Sequence, residues 1–480
     1  MRLSRNGLRS ITSLNAAVWH PQRRQCRSLH SLGDLFEDLK SRGLVADVTR
    51  PAQFQSATEK PLTVYVGVDP TAPNLHVGHL VPLLCLLHFQ LRGHHIIPLI
   101  GGATGLVGDP SGRSTERPMA TPETIAHNVE KLTTGITRFF EGATKYKEKH
   151  IELIIRPKLH PPNVQNNLTW LKELNLLEFL RTVGFHSRVN TMLARESVQA
   201  RLASQQGISF TEFTYQLLQG YDFLTLYKKF GCTVQIGGSD QWGNIIAGID
   251  LINRTNSAPG TAQDGTAEKA FGLTTPLLTT ASGEKFGKSA GNAVSLNGEE
   301  TNVYDFYQFF LRTSDADVGR YLKMFTLMSL EEIDGLMLEH NRSPETRVAQ
   351  RKLAEEVTLL VHGVDGVYCA KHATKLLYEH DIATAKRKDV LNALSDNPVM
   401  HLCTASEVLD TPLVKLTARF GLAASNSAAR QLVNAKGLYL NNTPVADVHQ
   451  KLSATDLIDE GVVFLRAGSQ KQAVIVLVEK

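Results

Sequence analysis

The sequence predicts an α/β protein whose first half is a parallel sheet with helices on its faces, followed by an all-helical stretch and a small α+β module. Three observations predict this. Strand, helix and strand succeed one another between Thr63 and Ile100, glycine-bearing loops follow apolar runs at Gly101 and Gly237, and from Asn302 to about Leu394 the apolar residues recur at helical spacing alone. A βαβ unit with its loops at the strands' carboxyl ends is where open α/β sheets bind ligands. With 480 residues, 42% of them hydrophobic, the chain is long enough for two or three domains with full cores.

The first 33 residues hold six arginines (Arg2, Arg5, Arg9, Arg23, Arg24, Arg27), several serines and no acid. That is the composition of an organelle transit peptide, expected over 1–32; a basic arm that binds RNA in place is the competing reading. Those arginines exceed the whole formal net charge of +4, so the remainder is slightly acidic and a nucleic-acid partner has to be met by local patches. The five cysteines (Cys26, Cys85, Cys232, Cys369, Cys403) form no Cys-x-x-Cys pair, which argues against a zinc module or a disulfide framework. No metal site is expected. No apolar run approaches the ~18 residues of a membrane span, so no membrane partner is expected.

Helical period runs from Ser31 to about Gly43. From Thr63 the valines Val64, Val66 and Val68 alternate with Tyr65, Gly67 and Asp69, which puts every valine on one face and leaves the other for a ligand. The next helix is expected to begin near Gly78, because the missing N–H of Pro82 is harmless only among the first few helical positions. His76 and His79 then flank a helix N-terminus, whose unpaired N–H groups and partial positive charge suit phosphate. A strand at His95–Ile100 leads into Gly101–Gly112, which has five glycines and ends Asp109-Pro-Ser-Gly but lacks Walker spacing.

Residues 113 to about 205 read as a mostly helical insertion between two halves of the sheet. Ser209-x-x-Glu212 fits a capping box opening a helix through Phe223, and Tyr215, Gln219 and Asp222 share one face of it at i, i+4, i+7. Such a stripe ordinarily faces water. Between two glycine-rich loops, turned inward, it makes a hydrogen-bonding pocket. A strand at Thr233–Ile236 runs into Gly237-Gly-Ser-Asp-Gln-Trp-Gly243, with a helix from about Asn244 and an exposed loop over Ser257–Thr266. Lys285 and Lys288 lie in a segment without apolar period: a solvated loop by itself, a movable polyphosphate clamp if it faces the helix terminus. Helix starts are expected at Ser329-x-x-Glu332 and Ser343-Pro344. The last residues predict helices at Pro412–Phe420 and Ser427–Ala435, strands at Leu438–Leu440, Val462–Arg466 and Ala473–Val478, and a tight turn at Asn441-Asn442.

Together these motifs resemble the class I aminoacyl-tRNA synthetases. His76-Val77-Gly78-His79 is similar to the family's His-Ile-Gly-His signature, and Lys285-Phe286-Gly287-Lys288-Ser289 to its Lys-Met-Ser-Lys-Ser loop. Tyr65-Val-Gly-Val-Asp-Pro-Thr-Ala, Gly101-Gly-Ala-Thr-Gly, Gly108-Asp-Pro-Ser-Gly, Phe210-Thr-Glu-Phe-Thr-Tyr-Gln-Leu-Leu-Gln and Gly237-Gly-Ser-Asp-Gln-Trp-Gly-Asn look like the tyrosyl-specific branch of bacterial and mitochondrial type. The resemblance runs from about residue 33 to the C-terminus. It implies a Rossmann-like catalytic domain over 33–290 (insertion about 113–205), a helical anticodon-side domain over 291–395 and a small α+β RNA-binding domain over 400–480. It also implies a tyrosine-tRNA ligase of the mitochondrial matrix that activates L-tyrosine with ATP and passes the tyrosyl group to tRNA(Tyr). ATP would be a substrate accompanied by Mg²⁺, with no tightly bound cofactor, and the protein a homodimer through the inserted region.

By the same resemblance, Tyr65 and Asp222 hydrogen-bond the hydroxyl of tyrosine, and Asp109, Tyr215 and Gln219 hold its α-ammonium. Asp69, Gly238, Asp240 and Gln241 line the tyrosine and ATP-ribose side, while Thr71, His76, Gly78 and His79 serve ATP and its departing pyrophosphate. Lys285 and Lys288 bind pyrophosphate, assisted by Arg113 and Arg117. Val66 and Pro82 stand where some relatives have polar residues. The C-terminal module carries eight Lys/Arg against seven Asp/Glu across residues 401–480, so tRNA contact there would rest on a patch such as Arg419, Arg430 and Lys436. Two rivals stay open: a tryptophan-specific enzyme of the same architecture, and an RNA-binding or splicing cofactor built on a synthetase body.

Overall fold

The computed structural model describes residues 33–478 except 113–114, 116–117, 151–158, 204–206, 257–269, 281–282, 284–293, 379–381, 383–384, 395–396 and 469–470. The expectations placed on residues 1–32, Arg113, Arg117, the 257–266 loop, Lys285 and Lys288 lie outside the described residues.

Six strands, Asp47–Val48 (β1), Thr63–Val68 (β2), His95–Ile100 (β3), Gln165–Asn166 (β4), Cys232–Gly238 (β5) and Phe271–Thr275 (β6), form one sheet in the order β1-β6-β5-β2-β3-β4. Every neighbouring pair is parallel except the β1–β6 edge. From β2 the chain moves outward to β3 and β4, whereas β5 and β6 extend the other way. The order therefore reverses between β2 and β5, and a crevice opens outside their carboxyl ends. The alternation in β2 separates two cores. Val64, Val66 and Val68 join helices Leu35–Ser41, Val77–Leu91 and Pro122–His150 on one face, while Tyr65 meets Ile97, Phe223 and Ile245 on the other.

Several expectations shift. The first helix is Leu35–Ser41, capped by Asp34, whose carboxylate accepts from the Glu37 N–H at 2.8 Å. The helix after β2 begins at Val77, one residue before the expected Gly78, and Pro82 as its sixth residue leaves the Gly78 carbonyl without its i+4 donor. The expected insertion divides. Helix Pro122–His150 buries Leu132, Ile136, Phe139 and Phe140 in the main core, and β4 extends the sheet. As the dipeptide Gln-Asn, β4 has no apolar alternation to display. The rest is four short helices, Leu168–Leu171, Leu176–Thr182, Val189–Leu193 and Glu196–Leu202, the first of which buries Trp170 in the core with Tyr65. Ser209 caps the next helix, but Glu212 does not complete the box: it meets Arg201 at 2.9 Å with both side chains almost fully buried, since a buried guanidinium demands a counter-charge. That helix runs over Phe210–Phe230, seven residues further than expected, and ends at Gly231 in the left-handed region (φ 62°).

Helices Val303–Leu311, Asp315–Phe325, Leu330–Arg342, Val348–Tyr378 and Arg387–Leu394 follow, and Ser329 with Glu332 forms the full capping box predicted. The Val348–Tyr378 helix bends at Gly363, whose φ of 74° interrupts the helical backbone. Phe306, Phe310, Leu353 and Val357 share the core that holds the β2 valines. Arg42 adds a polar fastening: its guanidinium donates to the carbonyls of Thr326 and Met328, each at 3.0 Å, while Nε donates to Asp38 at 2.8 Å.

The C-terminal module is a second sheet of Met400–Cys403 (β7), Leu438–Leu440 (β8), Thr443–Pro444 (β9), Val462–Ala467 (β10) and Lys471–Leu477 (β11), ordered β7-β11-β10-β8-β9. Helices Leu413–Arg419 and Asn426–Asn434 cover one face; from the other, Val462, Phe464, Val474 and Val476 pack on Leu377, Val390 and Leu394. Asn441 and Asn442 both take positive φ between β8 and β9, the conformation this tight turn requires. Among the described residues no helix is long and apolar enough to cross a membrane.

Candidate active site

Three carboxylates converge at the switch point. Asp69 follows β2, Asp109 lies in the glycine loop after β3, and Asp222 rises from the Phe210–Phe230 helix. That helix buries polar residues beside apolar ones: Tyr215 and Asp222 are 5% and 2% exposed, Phe223 and Leu226 are fully buried, and Gln219 is half-buried. The predicted polar stripe faces inward.

The Tyr215 hydroxyl donates to Asp69 Oδ2 at 2.7 Å, and the Thr104 hydroxyl to Asp69 Oδ1 at 2.7 Å. Thr104 Oγ1 accepts in turn from Asn167 Nδ2 at 2.9 Å, and the same nitrogen reaches Asp222 Oδ2 at 2.8 Å. Trp170 Nε1 closes the series by donating to Asp222 Oδ1 at 2.7 Å. One hydrogen-bonded chain thus runs Tyr215, Asp69, Thr104, Asn167, Asp222, Trp170. A Cβ on Gly101 would collide with the Asp69 carboxylate and the Thr104 hydroxyl, so glycine there is a steric requirement. Near the third carboxylate, Asp109 Oδ2 accepts from Gln241 Nε2 at 2.7 Å and Oδ1 from the Ser111 N–H at 3.0 Å. Gln219 and Gln241 meet at the side chain of Asn244, at 3.1 and 3.2 Å.

Tyr65 is 1% exposed and its ring lies 5.2 Å from that of Phe223. Its hydroxyl has no partner among the described residues. Burial and the adjacent Asp222 charge hold this phenol well above its ordinary range, so it remains a donor. Gln235, in register with Tyr65 on β5, has a buried and likewise unpartnered Oε1. Burial pushes the Asp222 carboxyl up to about 7, opposed by the hydrogen bonds from Asn167 and Trp170 and reinforced by the Asp69 charge. An unmet buried polar group costs about 1–3 kcal/mol. A ligand hydroxyl that donates to Asp222 and accepts from Tyr65 relieves both.

His76 is the N-cap of the Val77–Leu91 helix. Its Nδ1 accepts from the Gly78 N–H at 3.1 Å, His79 Nδ1 accepts from the His76 N–H at 3.0 Å, and the ring centroids are 3.9 Å apart. An accepting Nδ1 assigns the hydrogen of each neutral ring to Nε2. Two Nε2–H donors therefore accompany the positive end of the helix. Val294 and Leu296, which follow the stretch containing Lys285 and Lys288, bond to Val77 and Leu75, each at 2.9 Å. Thr71, exposed, donates its N–H to the Asp69 carbonyl at 2.8 Å. Gly238 ends β5, and a Cβ there would crowd Asp240, which borders a cleft of about 580 Å³ with Ser111 and Trp242.

Residues 57–379 match the family model of class I tRNA synthetases for W and Y. A tyrosine-tRNA ligase of Roseiflexus castenholzii is 42% identical over 92% of this chain and 99% of its own. The mitochondrial tyrosine-tRNA ligase of Saccharomyces cerevisiae is 40% identical over 92% of this chain and 88% of its own. The chain belongs to the tyrosyl-tRNA synthetases. A crystal structure of a C-terminally truncated Aspergillus nidulans mitochondrial tyrosyl-tRNA synthetase superposes with a TM-score of 0.65 at 37% identity, covering 72% of this chain and 94% of that one.

In this tyrosyl-tRNA synthetase, motif reading does not reach Asn167, Trp170 or Gln235. The first two lie in the stretch read as insertion, and Gln235 sits in an apolar strand; a buried strand that carries a glutamine was the available signal. Thr104 and Asn244 fall inside the quoted motifs but carry no role there. Of the C-terminal cations, Arg419 is engaged by Glu407 at 3.4 Å, while Arg430 and Lys436 are exposed. No ion pair or hydrogen bond links these three among the described residues. Nor do the described residues contain a cluster of three or more His, Cys, Asp or Glu able to hold a metal ion.

The raised Asp222 carboxyl has a signed consequence. A group protonated more readily folded than unfolded stabilises the fold fully below the unfolded value near 4, and that contribution is lost as pH rises through about 7. A phenol that donates to the ionised carboxylate binds in the opposite sense. The dissociation constant for tyrosine, measured by calorimetry, is expected to fall about tenfold between pH 6 and pH 8. It should be flat over that range in Asp222→Asn; a flat profile in the unsubstituted chain contradicts this assignment.

Proposed function

We propose that this synthetase binds the phenol of L-tyrosine between Tyr65 and Asp222 and its α-ammonium among Asp109, Tyr215 and Gln219. The observation that carries this reading is the unpartnered Tyr65 hydroxyl beside a buried carboxylate already held by two donors. The tyrosine carboxylate attacks the α-phosphorus of ATP, pyrophosphate leaves, and the terminal ribose of tRNA(Tyr) then takes the tyrosyl group. No side chain is needed as a covalent nucleophile. Catalysis is positioning together with stabilisation of charge developing on the phosphates. His76 and His79 offer Nε2–H groups at the helix end; Lys285, Lys288 and Thr71 serve the same phosphates, Asp69, Gly78, Gly238 and Asp240 line the ATP side, and Gln241 lies on the tyrosine side. Mg²⁺ accompanies ATP as part of the substrate.

Residues 33–290 form the catalytic part, 291–395 the anticodon-side part and 400–480 a tRNA-binding module through Arg419, Arg430 and Lys436. The Arg-rich, acid-free leader and the mitochondrial relatives support a mitochondrial matrix enzyme. The short helices of the insertion expose Leu176, Leu177, Phe185 and Val189 at 70%, 73%, 69% and 58%, and Phe210 beside them at 79%. Apolar exposure on that scale supports association of two copies there.

Two measurements test these points. Protein lacking residues 1–32 is expected to catalyse ATP–pyrophosphate exchange with tyrosine and not with tryptophan; tryptophan-dependent exchange would overturn the substrate. In sedimentation the same protein should be a dimer, and Leu177→Asp should shift it toward monomer; a monomeric unsubstituted chain rejects the homodimer.

A further inference from the structure

The side-chain nitrogen of Asn244 lies within hydrogen-bonding range of four oxygens: Gln219 Oε1 at 3.1 Å, Gln241 Oε1 at 3.2 Å, Ser111 Oγ at 3.3 Å and Asp109 Oδ1 at 3.4 Å. A carboxamide nitrogen carries two hydrogens. Four oxygens thus converge on two hydrogens at a side chain only 7% exposed, with Asp109 Oδ1 also accepting from the Ser111 N–H at 3.0 Å. The Tyr215 hydroxyl donates to Asp69, and the other oxygen of Asp109 is already held by Gln241 Nε2. Two half-buried carboxamide oxygens and the buried Asp109 carboxylate gathered around one small volume complement a group with three hydrogens and a positive charge, a primary ammonium.

The acceptors come from separate elements: the loop after β3, the Phe210–Phe230 helix and the turn after β5. Asn244, the third residue of the Trp242–Asn256 helix, touches all of them. Gln219 makes no other side-chain hydrogen bond among the described residues, so its direction depends on Asn244 alone. The backbone beneath is tightly fixed, because a Cβ on Gly237 would come within 2.9 Å of the Gln241 side chain. Asp109 and Gln241 retain their mutual bond without Asn244; Gln219 retains nothing.

We propose that Asn244 is a positioning residue for the α-ammonium of the amino-acid substrate. It gathers Gln219, Gln241 and Asp109 around one volume that a primary ammonium can occupy, and it fixes the direction of Gln219 before that ammonium arrives. This rests on the tyrosine-activation reading above. A residue that merely props the fold would affect every tyrosine-like ligand alike, whereas a residue that sets the ammonium cradle affects only ligands with an ammonium.

The test compares L-tyrosine with 3-(4-hydroxyphenyl)propionate, which keeps the phenol and carboxylate and lacks the ammonium. In Asn244→Ala the tyrosine KM in ATP–pyrophosphate exchange should rise about 10- to 100-fold, the range of a charge-assisted hydrogen bond. The inhibition constant of the analogue should move less than about twofold, since it makes none of those bonds. The proposal is overturned if the ratio of the two shifts is below about fivefold, on that same scale, including equal loss for both ligands or no loss for either. Asn244→Ser, which keeps one donor hydrogen and is judged by the same ratio, carries the test where Asn244→Ala does not fold. Absence of tyrosine-dependent exchange in the unsubstituted chain strikes the underlying reading instead and is seen before any variant is made.

Discussion

Asp222 is 2% exposed, and an ionised carboxyl at such a site is costly unless donors surround it. Trp170 and Asn167 supply two, and through Asn167 and Thr104 the same carboxyl is tied to Asp69 and Tyr215 at the far end of the pocket. Every member but the half-buried Asp69 is buried, and each is bonded to the next, so the position of one specifies the others. Much else in the fold serves this chain. Gly101 must lack a side chain, the edge strand β4 must deliver Asn167, and the Phe210–Phe230 helix must turn its polar face inward.

What the chain leaves unfilled is as informative as what it fills. The Tyr65 hydroxyl faces no partner, and Asp222 is balanced between its charged and neutral forms near neutrality. A phenol supplies an acceptor for Tyr65 and a further donor to Asp222, whereas phenylalanine leaves the Tyr65 hydroxyl unmet. Sites that hydrogen-bond a substrate hydroxyl in this way reject the analogue lacking it by about 10⁴ to 10⁵. In the proposed reaction β2 divides the labour: Tyr65 within it faces the amino acid, His76 and His79 beyond it serve ATP, and Asp69 lies where the two substrates meet.

The sheet and the polar stripe were legible because each imposes a period on the sequence. β2 alternates over six residues, and Tyr215, Gln219 and Asp222 recur at helical spacing. β1 and β4 were not legible, since two residues carry no period, and their pairing is set by distant partners such as Leu273 and Leu99. Pro82 placed the start of its helix to within one residue, at Val77 rather than Gly78, and the hydrogen bond it removes is outweighed by the buried apolar face of that helix. Asn167 and Trp170 were invisible because their importance comes from a contact with Asp222 across more than fifty residues, and nothing in their immediate neighbours encodes it. Glu212 shows the reverse case, a local capping signal overridden by a buried arginine.

The central claim is that selectivity for tyrosine comes from the hydroxyl site at Asp222 and Tyr65. Its most direct test is the ratio of kcat/KM for tyrosine to that for phenylalanine in folded Asp222→Ala protein. The account predicts that this ratio collapses by at least about a hundredfold, the scale of losing a charge-assisted hydrogen bond in a buried site. An unchanged ratio would contradict it.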